Sequence, residues 1–291
     1  PCTTTQAVSM AQPDYHILML DGTYTGALAM IEISGAVANG TPGHPITISA
    51  LNDGGVFVNG QGARVPVRVA KNWWIVEGIN AGNSSADVVA VTGSDNIVRR
   101  TVGWNASDAS TCNCDVMSVF YADATHTGER DLLEDVAAFG TGRKGLEISA
   151  NASYGTMRRA WARIEGTNST AGPRVAFEMG YSSLNDICEN CLATIDQDRP
   201  SSEGDRLGEL FSVGRTITGQ CEQHTRLFGS IGYVLASQVA EETPNGLLAV
   251  QRPNAWFEVK DTVIHIQPGS HTDLSPFDIL DYDATTSGGC P

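Results

Sequence analysis

The residues best suited to chemistry are carboxylates that recur at one spacing. Asp123 lies 12 residues before Asp135, Glu147 lies 12 before Arg159, and Glu178 lies 12 before Asn190. If those endpoints are equivalent positions of a repeat, Asp123, Glu147 and Glu178 form one acidic column. Leu146 and Ile148 flank Glu147, and Phe177 and Met179 flank Glu178, so strand alternation turns both glutamates outward from an apolar core. Four residues earlier, Arg143 and Arg174 align in the same way, with Lys144 beside the first. Stacked carboxylates raise one another's pKa and divide acid and base roles. Adjacent coils would hold them near the ~5 Å of a retaining glycosidase, and alternate coils near the ~9 Å of an inverting one. The basic residues suit binding of a uronate carboxylate or proton abstraction in a lyase, and the acidic column suits Ca²⁺. Read as structure alone, the same face is a surface ladder of compensating charges, worth roughly 0–1 kcal/mol per exposed pair.

Other candidates are weaker. His126, in Thr125-His126-Thr127, reads as part of a solvated insert. Trp74 and Trp161 fall in strand registers that favour core packing over sugar stacking. Gly140-Thr141-Gly142-Arg143-Lys144 lacks the spacing of a phosphate loop. The seven cysteines, Cys2, Cys112, Cys114, Cys188, Cys191, Cys221 and Cys290, are disulfide candidates. Cys188 and Cys191 form a CxxC without a second pair at zinc spacing, so no metal centre is expected from them. Asn83, Asn105, Asn151 and Asn168 head N-x-S/T sequons and are glycosylation candidates.

The elements that must position these residues follow from the repeat. Trp74-Ile75-Val76-Glu77-Gly78, Asn96-Ile97-Val98-Arg99-Arg100, Asp131-Leu132-Leu133-Glu134-Asp135, Gly155-Thr156-Met157-Arg158-Arg159 and Asp186-Ile187-Cys188-Glu189-Asn190 share one pattern. Before each lies a second β-rich segment, such as Val88–Val91 or Val175–Met179. Short strands with no amphipathic helices between them exclude a βαβ design. Coils of uneven length with inserts at fixed points indicate a parallel β-solenoid, in which stacking on the next turn supplies the core. Val76, Val98, Leu133, Met157 and Cys188 should therefore stack in one sheet.

Gly22-Thr23-Tyr24-Thr25-Gly26, the run Gly43-His44-Pro45-Ile46-Thr47-Ile48-Ser49-Ala50, Val58-Asn59-Gly60 and Ser94-Asp95-Asn96-Ile97-Val98-Arg99-Arg100 resemble coil signatures of the right-handed parallel β-helix, pectate-lyase-like superfamily. The resemblance spans about residues 14–265 and implies that fold. It implies no single activity, because the superfamily includes lyases, hydrolases, epimerases, adhesins and inert structural proteins. The expected architecture is all-β: an N-terminal cap with a short helix (residues 1–13), one parallel β-helix (14–274) and a C-terminal cap and tail (275–291).

Composition bounds the partners. With 18 Lys+Arg against 33 Asp+Glu the formal charge is −15, and Lys occurs only as Lys71, Lys144 and Lys260, which excludes a nucleic-acid binder. No apolar run approaches a membrane span. A start at Pro1 without Met, the cysteines and the sequons suggest a secreted or cell-surface chain with its export signal removed. The expected function is a non-enzymatic structural protein whose subunits self-associate into an extracellular fibre or surface layer. No catalytic set is recognisable, the chain is short for a superfamily enzyme, and cysteines lie near both ends. The alternative is a polysaccharide lyase or glycoside hydrolase that uses Asp123, Glu147, Glu178, Arg143 and Arg174. No cofactor is expected beyond Ca²⁺ on the acidic face.

Overall fold

A computed structural model describes residues 2–109, 111–120, 122–123, 126–165, 175–180, 183–195, 209–215, 224–235, 238–240, 248–251, 257–272 and 277–280. The helix Thr4–Met10 opens the chain. The Thr3 hydroxyl accepts from the Gln6 amide while the Gln6 side chain accepts from the Thr3 amide, which satisfies two N-terminal donors. Val8 on its inner face is fully buried.

From His16 the chain winds as a right-handed parallel β-helix. Each coil gives one strand to each of three nine-stranded sheets. The first sheet runs from His16–Met19 through Trp74–Glu77 and Ile187–Glu189 to Phe257–Lys260. The second runs from Gly22–Thr25 to Val263–Ile266, and the third from Ile31–Ile33 to Phe277–Leu280. Val76, Val98, Leu133, Met157 and Cys188 are successive parallel partners in the first sheet, as the repeat requires. All five are buried at 1% exposure or less. Opposite them, Phe177 and Phe211 stack in the third sheet with centroids 5.5 Å apart. Trp74 is fully buried, and its indole N–H donates to the Ala38 carbonyl at 3.0 Å.

The corner between the first and second sheets is one or two residues long, and its first residue is at positive φ. Gly78, Arg100, Asp135, Arg159, Asn190 and Gly229 occupy it in successive coils, with φ between 49° and 69°. At the opposite corner a side chain replaces a backbone acceptor. Asn96 Oδ1 accepts the Trp74 amide, Asp131 Oδ1 the Asn96 amide and Asp186 Oδ1 the Gly155 amide.

One boundary differs from expectation. Within the span expected as cap and tail, Phe277–Leu280 is a strand paired in parallel with Leu248–Gln251. Phe277 and Ile279 align with Leu248 and Val250, an apolar alternation of strand period.

Candidate active site

The site lies on the outer face of the third sheet. There Glu32, Arg68, Ala90, Ser118, Glu147, Glu178 and Ser212 are successive register partners and form one column. Glu147 and Glu178 are thus adjacent, as their spacing indicates. Asp123 is not in the column. The strand Asp115–Phe120 ends before it, and Ser118 takes the place expected for it. The ruler failed because the connection after this strand is longer: Ser118 lies 16 residues before Glu134, whereas Glu147 lies 11 before Arg158.

A second correction concerns exposure. Ser118, Glu147 and Glu178 are only 1%, 5% and 1% exposed, so this stretch of the column is buried and not a surface face. Arg143 is buried too and donates to the Asn113 side chain. Arg174 lies outside the described residues.

Lys144 stands at the centre of this buried polar group. Its ammonium bonds Glu147 and lies 3.3 Å from Glu178 and 3.9 Å from Asp115. Burial alone would lower the Lys144 pKa, but the charges of Asp115, Glu147 and Glu178 outweigh it and hold the amine protonated. Burial works against ionisation of Glu147 as well. The Lys144 ammonium, with hydrogen bonds from Asp115, Lys144 and Ser149, reverses that and brings Glu147 down to about 2. Asp115 goes the other way: burial and then the Glu147 charge raise it well above the usual carboxylate range. Within this group Lys144 is therefore favoured as the ammonium, Glu147 as the carboxylate and Asp115 as the neutral acid. Among the described residues neither oxygen of Glu178 accepts a hydrogen bond, so Lys144 holds it by charge.

Asp87 links this group to solvent. It accepts the Asp115 amide at 2.8 Å and the Ser118 hydroxyl at 3.0 Å. Burial pushes its carboxyl above the ordinary range, and those two hydrogen bonds pull it only partly back. Asp87 also lines a cleft of ≈ 460 Å³ together with Arg68, Ala90, Phe120, Asp123 and His126. On the rim, His126 Nδ1 meets both Asp123 oxygens at 2.9 Å. The His126 side chain is 31% exposed, so the pair faces the cleft without being sealed in it. Arg68 is about half exposed and lies 3.8 Å from Glu32.

The expected calcium ligands do not fit that ion. Among the described residues no group of three or more acidic, His or Cys side chains is disposed to hold a metal, and the Lys144 ammonium already bridges Glu147 and Glu178.

Sequence reasoning placed the compensating charge ladder on the wrong sheet. Glu77, Arg99, Glu134, Arg158 and Glu189 are successive partners on the outer face of the first sheet and alternate in sign. Arg99 pairs with Glu77, and Arg158 with Glu189 at 2.8 Å. That alternation stands in the aligned repeat and was the available signal. On the second sheet, Phe57, Trp104, Phe139 and Trp161 form an aromatic ladder with centroid spacings of 4.7, 6.0 and 6.2 Å. Trp161 is therefore outward and half-buried, and not a core residue. These rings present their faces mainly to one another, which leaves edges toward solvent and no open platform for a sugar. A Cβ at Gly82 would meet the Trp104 ring at 2.8 Å, so glycine is required where this ladder crosses it.

Asn83 and Asn105 form a side-chain ladder at a corner: Asn83 Nδ2 donates to Asn59 and Asn105 Nδ2 to Asn83, both at 3.1 Å. The nitrogen that a glycan would need is engaged at each. Asn151 sits in a half-exposed turn, and Asn168 lies outside the described residues. Cys112–Cys114 and Cys188–Cys191 are disulfides, Cys2 is an exposed free thiol, and Cys221 and Cys290 lie outside the described residues.

Among solved structures, the chain is similar to an alginate lyase from Paenibacillus sp. str. FPU-7. The match has 13% identity and a TM-score of 0.56, and covers 94% of this chain and 98% of that one. A mutant of the PL6 family alginate lyase AlyGC matches at 15% identity and a TM-score of 0.51, over 94% of this chain and 38% of that one. No protein-family model and no curated protein matches the sequence. At such identities the likeness shows the fold, a right-handed parallel β-helix. It also overturns the expectation of a non-enzymatic fibre or layer protein. That expectation took the chain to be short for an enzyme of this superfamily, yet the Paenibacillus enzyme is matched over 98% of its length.

Proposed function

We propose that this protein is a secreted polysaccharide lyase that cleaves an acidic glycan by β-elimination in the cleft over the third sheet. One observation carries the reading: a single cleft is lined by Arg68, the His126–Asp123 pair and the buried carboxyl of Asp87. Those are the groups that proton abstraction next to a carboxylate needs. Similar coil arrangements in two alginate lyases support it. Two disulfides suit an oxidising compartment, and among the described residues no helix is long and apolar enough to cross a membrane.

Each residue has one task. The Arg68 guanidinium neutralises the uronate carboxylate, which acidifies the adjacent C–H and stabilises the enolate-like transition state. Asp123 on Nδ1 fixes the His126 tautomer in which Nε2 carries the lone pair, and Nε2 takes the proton. The C–H electrons become the C=C bond of an unsaturated uronate while the glycosidic C–O bond breaks. Asp87, whose carboxyl burial pushes above the ordinary range, gives its proton to the leaving oxygen. No water and no other reactant enters. Lys144, Glu147 and Asp115 hold the Asp87 side of the cleft in place through the Asp115 amide and the Ser118 hydroxyl.

A hydrolase using Glu147 and Glu178 is not favoured, because both are buried and bridged by Lys144, which leaves no place for sugar or water between them. The test is a panel of polyuronates followed by the ultraviolet absorbance of the unsaturated product. Absorbance should rise with at least one polymer, and His126→Ala and Arg68→Ala should each abolish it while leaving the melting temperature unchanged. No absorbance with any polyuronate, or full activity in both variants, overturns the reading.

A further inference from the structure

The outer column of the third sheet changes character along the helix axis. At the N-terminal end it is open: Glu32 and Arg68 have side chains 41% and 48% exposed. It narrows at Ala90, 7% exposed on the cleft floor, and from Ser118 onward it is shut, with Ser118, Glu147, Glu178 and Ser212 at 1%, 5%, 1% and 1%. The cleft follows this change. Its lining comes from the coils that carry Ser34, Arg68, Ala90 and Phe120, and none of it from Glu147, Glu178 or Ser212. Four coils at ~4.8 Å each give a trough about 14 Å long. With ≈ 460 Å³ it lies in the range of a small-ligand site and has room for roughly two to three sugar units.

Beyond the trough, Asp115, Glu147 and Glu178 gather around Lys144 and fill the outer face, so the wall that ends it is a packed, ion-paired group.

We propose that the cleft is one-ended and that the enzyme acts exolytically, taking the end of an acidic glycan against the wall at Asp87 and Ser118 and releasing short uronides of fixed length. The inference rests on the lyase reading and deepens it. Steric closure carries it: an internal stretch of polymer needs an exit on both sides of the reacting bond, and the buried column beyond Ala90 leaves none on the Glu147 side.

Product analysis at low conversion tests it, on the polymer that gives the highest absorbance in the panel. Exolytic cleavage should yield one short unsaturated product size from the first turnovers, while viscosity falls only slowly per bond broken. The same polymer with its chain ends chemically blocked should react at least tenfold more slowly. A ladder of mixed oligomers at early times, or an unchanged rate on the blocked polymer, overturns the exolytic mode and leaves the lyase reading standing. No unsaturated product from any polymer overturns both.

Discussion

Asp186 offers the sharpest physical test of the fold, because an ionisable group sits where the design needs only a hydrogen-bond acceptor. Its Oδ1 accepts the Gly155 amide at 2.9 Å, while Oδ2 has no partner among the described residues. Burial raises the carboxyl from 3.8 to about 8, and the Gly155 amide, Ser183 and the Arg226 charge offset only part of that. A raised folded-state pKa means that stability is fully present below the unfolded value and is lost as pH climbs toward the folded one. The window is therefore pH ~4 to ~8. At about 1.4 kcal/mol per unit, a shift of roughly four units sets an upper limit near 6 kcal/mol, and relaxation around the site leaves a few. The coil that carries Asn96 shows the remedy, since Asn96 Oδ1 accepts an amide from the same kind of position without any charge. Asp186→Asn should leave melting at pH 4 nearly unchanged and raise it at pH 8. For ~3 kcal/mol in a chain of this size that is about 5–10 °C. The assay is thermal melting followed by circular dichroism across that range. A variant equally or less stable than the parent at pH 8, or a gain that does not depend on pH, would falsify the argument.

Other outcomes follow from the same structure. Lys144→Met should cost about 3–5 kcal/mol, because it leaves buried carboxylates without their cation; a melting temperature within 2 °C of the parent (less than about 1 kcal/mol) would refute the buried cluster. Glu147, drawn down to about 2 from 4.5, supplies stability that is complete above pH ~4.5 and fades as pH falls toward 2, so Glu147→Gln should flatten the acid limb of a pH–stability curve. His126→Ala should lower polyuronate cleavage by ~10²-fold or more, and Asp123→Asn should lower it less while shifting the pH profile. Arg158→Ala, on the exposed ladder of the first sheet, should change stability by no more than about 1 kcal/mol in a denaturant titration.

The first and third sheets were legible because their strands carry large β-branched or aliphatic residues at constant offsets, and Val76, Val98, Leu133, Met157 and Cys188 landed in register. The second sheet was not. Its strands are short and rich in small residues, such as Ile79–Gly82, Val102–Trp104 and Ala137–Phe139, and only one or two residues, the first at positive φ, separate them from the first sheet. In sequence the two strands read as one. The Glu147–Glu178 adjacency was legible from spacing, but burial was not: alternation tells inside from outside the coil and says nothing about what covers the outside. Asp123 was misplaced because connections between coils vary in length, a quantity the repeat does not encode. Its pairing with His126 was within reach, since Asp123 and His126 lie three residues apart, close enough for a turn to join them.

Two observations decide which groups can do proton chemistry here. A lysine base must be neutral part of the time, and Lys144 is held protonated by Asp115, Glu147 and Glu178. To release its proton it would have to leave the Glu147 carboxylate buried without its counter-charge, which is the costlier state. The cluster therefore works as a rigid, ion-paired support. In the proposed lyase, proton transfer would fall to the groups that border both this support and solvent, Asp87 from within and His126 with Asp123 from the rim. Burial separates their roles: it raises the Asp87 carboxyl, which suits a donor, whereas His126 at the opening is placed to accept.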